Sequence, residues 1–258
     1  MKLSIVIPAY NEEKRIGRTL EDYGSYFKNL QKVLDFRIIV VINNTTDKTE
    51  KVVKAYKKKY KEISFLNFER RGKGFAIIEG FKEALKSGSE VIGFVDADES
   101  TSPQAFYELV KNLGNYDGII ASRYLKGSMV TPKQPIMRIF ASRVFNMIVR
   151  ILFMFPYQDT QCGAKLFKKQ AIEKNIQKLG VTEWAFDVDL LYEMHKNGFR
   201  IKEYPTVWSD ARGSKINLKK SSVQMFFAVT RLRLVNSIFA LLAKPIKFLV
   251  KPLWRIVR

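Results

Sequence analysis

The residues that open a route to chemistry are Asp96 and Asp98, two carboxylates one residue apart at the end of the apolar run Val91-Ile92-Gly93-Phe94-Val95. The run reads as a buried strand. In an open α/β sheet, ligands gather beyond the carboxyl ends of the strands, which is where this pair falls. Carboxylate oxygens so placed suit a hard divalent cation, Mg²⁺ or Mn²⁺, held jointly with the phosphates of a substrate. A strand ending in a solvated acidic turn is the plain alternative, and the pair alone does not separate the two.

A second cluster, Arg71-Gly72-Lys73-Gly74, precedes a helical pattern. Glycine lets a backbone approach closely, and a helix N-terminus favours anions. The single His195 excludes a multi-histidine metal centre, and the single Cys162 excludes an internal disulfide. His195, within Tyr192-Glu193-Met194-His195-Lys196, reads as a helix-surface residue.

The elements that must position these groups alternate. Strands are expected at residues 3–9, 36–42, 63–67, 91–95 and 117–121. Helices are expected from Tyr10 to about Leu30, from the Asn43–Asp47 turn to about Tyr60, from Lys73 to about Lys86, and from Pro103 to Leu113. Such alternation predicts an α/β fold, a mostly parallel sheet with helices on both faces. Glu12, Asn43, Arg71, Lys73, Asp96, Asp98 and Arg123 then all lie at strand carboxyl ends and converge on one edge. Segment 136–155 reads as a further helix with Arg138, Ser142, Arg143, Asn146 and Arg150 on one side, and pattern alone makes it a core helix with that wet side outward.

The 258 residues carry a formal net charge of +20 and are 47% hydrophobic, which describes a globular protein with an anionic partner. Beyond Asp210 the sequence has only basic charges. Lys244, Lys247, Lys251, Arg255 and Arg258 recur at helical spacing among Phe248, Leu249, Leu253, Trp254, Ile256 and Val257, the pattern of an interfacial membrane segment. Pro252 divides that segment or kinks it. No apolar run approaches the ~18 residues that a membrane span needs. Met1-Lys2 runs directly into a strand, so no signal peptide is expected. Charge alone would also suit a nucleic acid, but no nucleic-acid motif accompanies it.

Taken in order, Ile7-Pro8-Ala9-Tyr10-Asn11-Glu12-Glu13, Asn43–Asp47, Gly72-Lys73-Gly74 and Asp96-Ala97-Asp98 resemble the family 2 glycosyltransferases of GT-A fold. Asp159-Thr160-Gln161-Cys162-Gly163-Ala164-Lys165-Leu166-Phe167, Trp184–Leu191 and Gly213-Ser214-Lys215 look like the polyprenyl-phosphate hexose synthases. Within these the dolichyl-phosphate glucosyltransferases are nearer than the mannose synthases. The resemblance implies an inverting hexosyltransferase, with glucose moving from UDP-glucose to a polyprenyl phosphate at the cytoplasmic face of a membrane. Mannose transfer from GDP-mannose and glycan extension are the alternatives.

The resemblance also distributes roles. Pro8, Tyr10, Glu12 and Asn43 would surround the nucleoside, although many relatives carry an Asp-Asp pair where this chain has Ile42-Asn43. Lys73, Asp96, Ala97, Arg212 and Lys215 would bind the nucleotide sugar, with Asp96 and Asp98 holding the metal. Where mannose synthases place a glutamine after the second aspartate, this chain has Ser100. Arg123, Arg138 and Ser142 would hold the lipid phosphate beside an apolar helix that guides the isoprenoid. Asp98, Arg123 and Asp187 would serve the reaction itself. Asp187 stands where other members carry a catalytic base. An ionised phosphate needs no base to attack, so a contact to the donor sugar or loop is expected there. Asp189 reads as a solvated helix residue. The expected division is a catalytic domain over 1–220 and a basic amphipathic membrane-associating segment over 221–258.

Overall fold

Long β-branched runs such as Ile5-Val6-Ile7 and Ile38-Ile39-Val40-Val41-Ile42 leave no polar face, so their strands must be covered on both sides. The computed structural model describes residues 1–132, 135–180, 185–209 and 218–236. In chain order its elements are β1 (Lys2–Ala9), α1 (Ile16–Asn29), β2 (Asp35–Asn43), α2 (Thr49–Lys59), β3 (Ile63–Phe68), α3 (Lys73–Lys86), β4 (Val91–Phe94) and α4 (Pro103–Asn112). There follow β5 (Gly118–Ser122), β6 (Met129–Thr131), α5 (Ile136–Phe153), β7 (Lys165–Lys168), α6 (Lys169–Asn175), α7 (Phe186–Lys196), β8 (Ile201–Pro205), β9 (Val207–Ser209) and α8 (Leu218–Val235).

The main sheet has seven strands in the order β3-β2-β1-β4-β7-β5-β8. β7 is antiparallel to both its neighbours, and the other pairings are parallel, so six strands point the same way. A smaller parallel pair joins β6 to β9. One face of the sheet is covered by Leu20, Tyr23 and Phe27 of α1, Val53 of α2 and Phe106 and Leu109 of α4. The other is covered by α3, α6, α7, part of α5 and Val229 and Leu232 of α8. Gly80 lets α3 lie directly on the sheet, because a Cβ there would come within 2.9 Å of Val6 and 3.1 Å of Val41.

Two expectations change. α1 begins at Ile16 rather than near Tyr10 because residues 11–13 are tied to the next loop. The Glu12 N–H donates to Thr49 Oγ1 at 2.8 Å, the Glu13 N–H to Asp47 Oδ2 at 3.1 Å, and the Thr46 N–H to Asn11 Oδ1 at 2.8 Å. α5 departs in part from its expected setting. Asn146 is buried and accepts from the main-chain N–H and hydroxyl of Thr160 at 2.8 and 2.9 Å. Outward instead face Ile136, Met137, Phe140, Met147, Ile151 and, just past the helix end, Met154. Arg143 and Arg150 are also exposed. α8 begins at Leu218, close to the boundary expected at residue 220, and packs on α5. Residues 237–258, with most of the expected membrane segment, lie outside the described residues.

Candidate active site

The carboxyl ends of β1, β2 and β4, with the loop after β3, carry the first half of the site. Tyr10 leaves β1 partly exposed, and the Arg71 guanidinium both donates to its hydroxyl and lies 5.2 Å from its ring centre. With its carboxamide oriented to satisfy both partners, Asn43 donates to the Ala9 carbonyl at 3.0 Å and accepts from the Gly72 N–H at 3.3 Å. Asn44, oriented likewise, accepts from Arg71 Nε at 2.8 Å. Pro8 lies half-buried in register with Val41. These side chains lie at the carboxyl ends of two adjacent strands.

Beside it, Lys73 at the start of α3 reaches Asp96 Oδ1 at 2.5 Å. Burial pulls the Lys73 ammonium down, but Asp96 and Asp187 outweigh it and hold it above the ordinary lysine range. Burial raises the Asp96 carboxyl above its ordinary value despite Lys73, and the neighbouring charges of Asp98 and Asp187 add to that rise. Three carboxylates and a cation thus lie near one another. The Glu12 carboxylate is clasped by Arg15 through two bonds of 2.7 Å. Burial lifts its carboxyl too, with Asp98 and Asp96 contributing.

The loop that bears the two aspartates is bolted from behind. The Thr19 hydroxyl donates to the Ala97 carbonyl at 2.8 Å, and the Tyr23 hydroxyl to that of Thr101 at 2.8 Å. The Ala97 methyl belongs to the core. Ser100 meets the site through its main-chain N–H, which donates to Asp98 Oδ1 at 3.0 Å. A cleft of about 820 Å³ opens beside Asp98, lined by Arg15, Arg18, Glu99, Ser102 and Ser209 among others. Thr19 and Tyr23 escaped the sequence reading because a hydroxyl inside an amphipathic helix carries no signal of what it will meet.

The second half of the site follows β5. The Arg123 fork is committed to Asp159, with Nε to Oδ2 at 2.7 Å and Nη2 to Oδ1 at 2.9 Å. Its plane lies 5.4 Å from the rings of both Tyr124 and Trp208. Asp159 is fully buried, and burial would raise its carboxyl, but the charge and bonds of Arg123 outweigh that and hold it below the usual range. Trp208 bridges to Thr101, and the Ser209 N–H donates to the Ser100 carbonyl at 2.8 Å, so this half is stitched to the aspartate loop. Ser142 accepts from the Tyr124 hydroxyl at 2.6 Å, and Arg143 lies 5.2 Å from the Tyr124 ring. Arg138, half-buried on the first turn of α5, stands one turn before Ser142.

Asp187 opens α7 and pairs with Lys165 of β7 at 2.5 Å, both buried. Asp189 is not solvated as expected; it is buried and accepts from the Gly180 N–H at 3.1 Å. His195 is exposed, as its position suggested. Burial pushes the Cys162 thiol up to about 12, so it stays protonated near neutrality. Arg212 and Lys215 lie outside the described residues.

A mostly parallel sheet flanked by helices, with an Asp-x-Asp loop beside a helix that begins at Lys73, is the arrangement of a GT-A glycosyltransferase. The signature of glycosyl transferase family 2 matches residues 4–176, and the chain belongs to that family. It is 30% identical to the dolichyl-phosphate beta-glucosyltransferase of Dictyostelium discoideum over 243 residues, covering 90% of this chain and 73% of that protein. It is 32% identical to the human dolichyl-phosphate beta-glucosyltransferase over 228 residues, covering 83% of this chain and 69% of that one. Among solved structures, glucosyl-3-phosphoglycerate synthase from Mycobacterium tuberculosis, in complex with Mn²⁺, UDP and phosphoglyceric acid, superposes with a TM-score of 0.67 at 16% identity. The match covers 90% of this chain and 78% of that one. A mannosyltransferase from Pyrobaculum calidifontis, with GDP-Man and Mn²⁺, gives a TM-score of 0.59 at 18% identity, with coverage of 89% and 64%. Those two structures share the fold. Among the described residues no helix is long and apolar enough to cross a membrane.

Proposed function

We propose that this enzyme transfers glucose from UDP-glucose to a polyprenyl phosphate, with inversion, at the cytoplasmic face of a membrane. The observation that carries the reading is the state of three buried acids near the reaction centre among the described residues. Asp159 is spent on Arg123, Asp187 on Lys165, and Asp189 accepts from a main-chain N–H. A sugar hydroxyl would need a free carboxylate to take its proton, whereas a lipid phosphate arrives ionised. The similarity to dolichyl-phosphate beta-glucosyltransferases supports the same acceptor. So does the apolar outward face of α5, flanked by Arg143 and Arg150, which suits an isoprenoid chain and an anionic lipid surface. Arg138, Ser142 and the N–H groups of Arg123 that Asp159 does not take would hold the phosphate.

Mg²⁺ or Mn²⁺ fits the donor side. Among the described residues no group of three or more metal-binding side chains exists, but these ions take two carboxylates and leave room for substrate phosphates. The Lys73 ammonium on Asp96 shows that the carboxylate already accepts a cation, and the bare Gly163 beneath it leaves its oxygens uncrowded. Asp96 and Asp98 would hold the ion, which neutralises charge developing on the departing diphosphate. Tyr10, Asn43 and Glu12 would orient the nucleoside, and Lys73 would pass from Asp96 to the diphosphate. Inversion follows from a single displacement by the lipid phosphate on the face opposite the leaving group.

The purified chain, given UDP-glucose, Mn²⁺ and polyprenyl phosphate in detergent, is expected to form a glucosylated lipid, with little product from GDP-mannose. Efficient transfer to a free sugar hydroxyl, with none to the lipid phosphate, would overturn the reading. Lys73→Met tests the donor side separately. It removes a competitor for Asp96 and a partner for the diphosphate at one stroke. Binding of Mn²⁺ alone is expected to tighten roughly fivefold, while UDP in saturating Mn²⁺ binds roughly tenfold more weakly. Calorimetry reads both, and a weakened affinity for Mn²⁺ alone would show that the lysine does not compete.

A further inference from the structure

Lys165 is a fully buried lysine, and it lies in the middle of a sheet. Lysine is rarely placed so, because burying an ammonium costs several kcal/mol unless it is well paired. An apolar residue of similar length would serve packing at least as well. The pairing here is specific. Lys165 Nζ donates to Asp187 Oδ1 at 2.5 Å and to the Cys162 carbonyl at 2.7 Å, and lies 5.3 Å from the Phe94 ring centre. Lys73 approaches the same ring at 5.9 Å. In register, Lys165 stands opposite Phe94 on one side and Ile120 on the other, between the strand that delivers Asp96 and the strand that delivers Arg123.

The two groups it holds both border the reacting centre. Asp187 is close enough to Lys73 and Asp96 to act on their charges. The Cys162 carbonyl leads directly into Gly163, whose backbone packs under the Asp96 carboxylate. One ammonium therefore fixes a carboxylate beside the donor and the loop beneath the proposed metal ligand.

We propose that Lys165 is a positioning residue for glycosyl transfer: it holds Asp187 as an aimed, already neutralised anion and clamps the Gly163 loop beneath Asp96. This rests on the proposed transfer to a phosphate acceptor, for which a neutralised Asp187 is no handicap. The carboxylate is kept for orienting the donor, and its proton-accepting role is given up to the ion pair. Displacement of such a group by about an ångström is enough to cost on the order of a hundredfold in turnover.

The test compares Lys165→Met, Lys165→Arg, Asp187→Asn and the double variant Lys165→Met/Asp187→Asn. Active enzyme is counted in each by the stoichiometry of UDP binding in Mn²⁺. Lys165→Met is expected to lose about a hundredfold in kcat, with the KM for UDP-glucose changing less than about threefold. Lys165→Arg recovers at least a tenth of the activity, and the double variant is no slower than the slower single one. A residue with a merely structural role would lower the count of active sites and leave kcat per site intact. That result, or full additivity in the double variant, would overturn the proposal. If the wild-type chain prefers another acceptor, the proposed function fails on that measurement, while the same four variants still read the coupling on whichever transfer it performs.

Discussion

Gly163→Ala is expected to lose at least about a hundredfold in turnover while melting within a few degrees of the wild type. The added methyl would fall 2.6 Å from Asp96 Cγ and closer still to Oδ2. Asp96 has a short side chain, already drawn toward Lys73 on one side, so it cannot step aside without leaving its position. The backbone of Gly163 does not hold a left-handed conformation, so the effect is one of space alone. A shift of a fraction of an ångström in a metal carboxylate is enough to spoil alignment of a diphosphate leaving group. Mn²⁺-dependent UDP binding should weaken in parallel, because the same carboxylate serves both. Wild-type turnover with the extra methyl in place would show that Asp96 is free to move and that its observed position is not the working one.

The largest effect on stability is expected at Asp159. Its carboxylate is fully buried and faces a nearly buried guanidinium, with side-chain exposures of 0% and 11%. It also accepts the main-chain N–H groups of Arg123 at 3.1 Å and Gln161 at 3.2 Å. Asp159→Ala leaves Arg123 with a buried, uncompensated charge, a change that costs about 3–5 kcal/mol. Urea unfolding of the two proteins side by side measures it. Removing both partners with Arg123→Met/Asp159→Leu should recover part of the loss, since apolar groups replace a buried ion pair at little cost. The pH dependence has a definite sign. Because Arg123 holds the folded carboxyl below its unfolded value, the stabilisation is complete above the unfolded range, near about 4. It is lost as pH falls through the lower folded value. A loss under about 1 kcal/mol at neutral pH would mean that the pair contributes little to the fold.

The donor half of the sheet was legible from end to end. β1, β2, β3 and β4 announced themselves as apolar runs closed by turn residues, and the loops after them held the polar groups that meet in space. Glu12, Asn43, Lys73, Asp96 and Asp98 could be placed on one edge for that reason: a parallel sheet brings successive loops together whatever their detail. The acceptor half was less legible, for three separate physical reasons. β7 is only four residues and begins with a lysine, so neither its period nor its composition marks a strand. Arg123 presented the right fork for a phosphate, but the carboxylate that takes it stands at the far end of α5. The pattern of α5 grouped Asn146 with Arg143 and Arg150, but the core takes Asn146 and leaves the two arginines outside. Asn146 went inward because Thr160 was there to donate to it.

The strand order also dictates how the molecule is put together as it leaves the ribosome. β3, β2, β1 and β4 lie side by side and are complete by residue 94, so the nucleotide-handling strands need nothing from later sequence to pair. β5 is different, because both its neighbours, β7 and β8, are made after it. Until residue 168 has emerged there is a gap one strand wide between β4 and β5, and the growing chain carries half a sheet with an open edge. The strand that fills the gap is the one that brings Lys165. The clamp is seated only once Asp187, on the later helix α7, has followed, so a nascent chain with its donor strands paired still lacks a finished reaction centre.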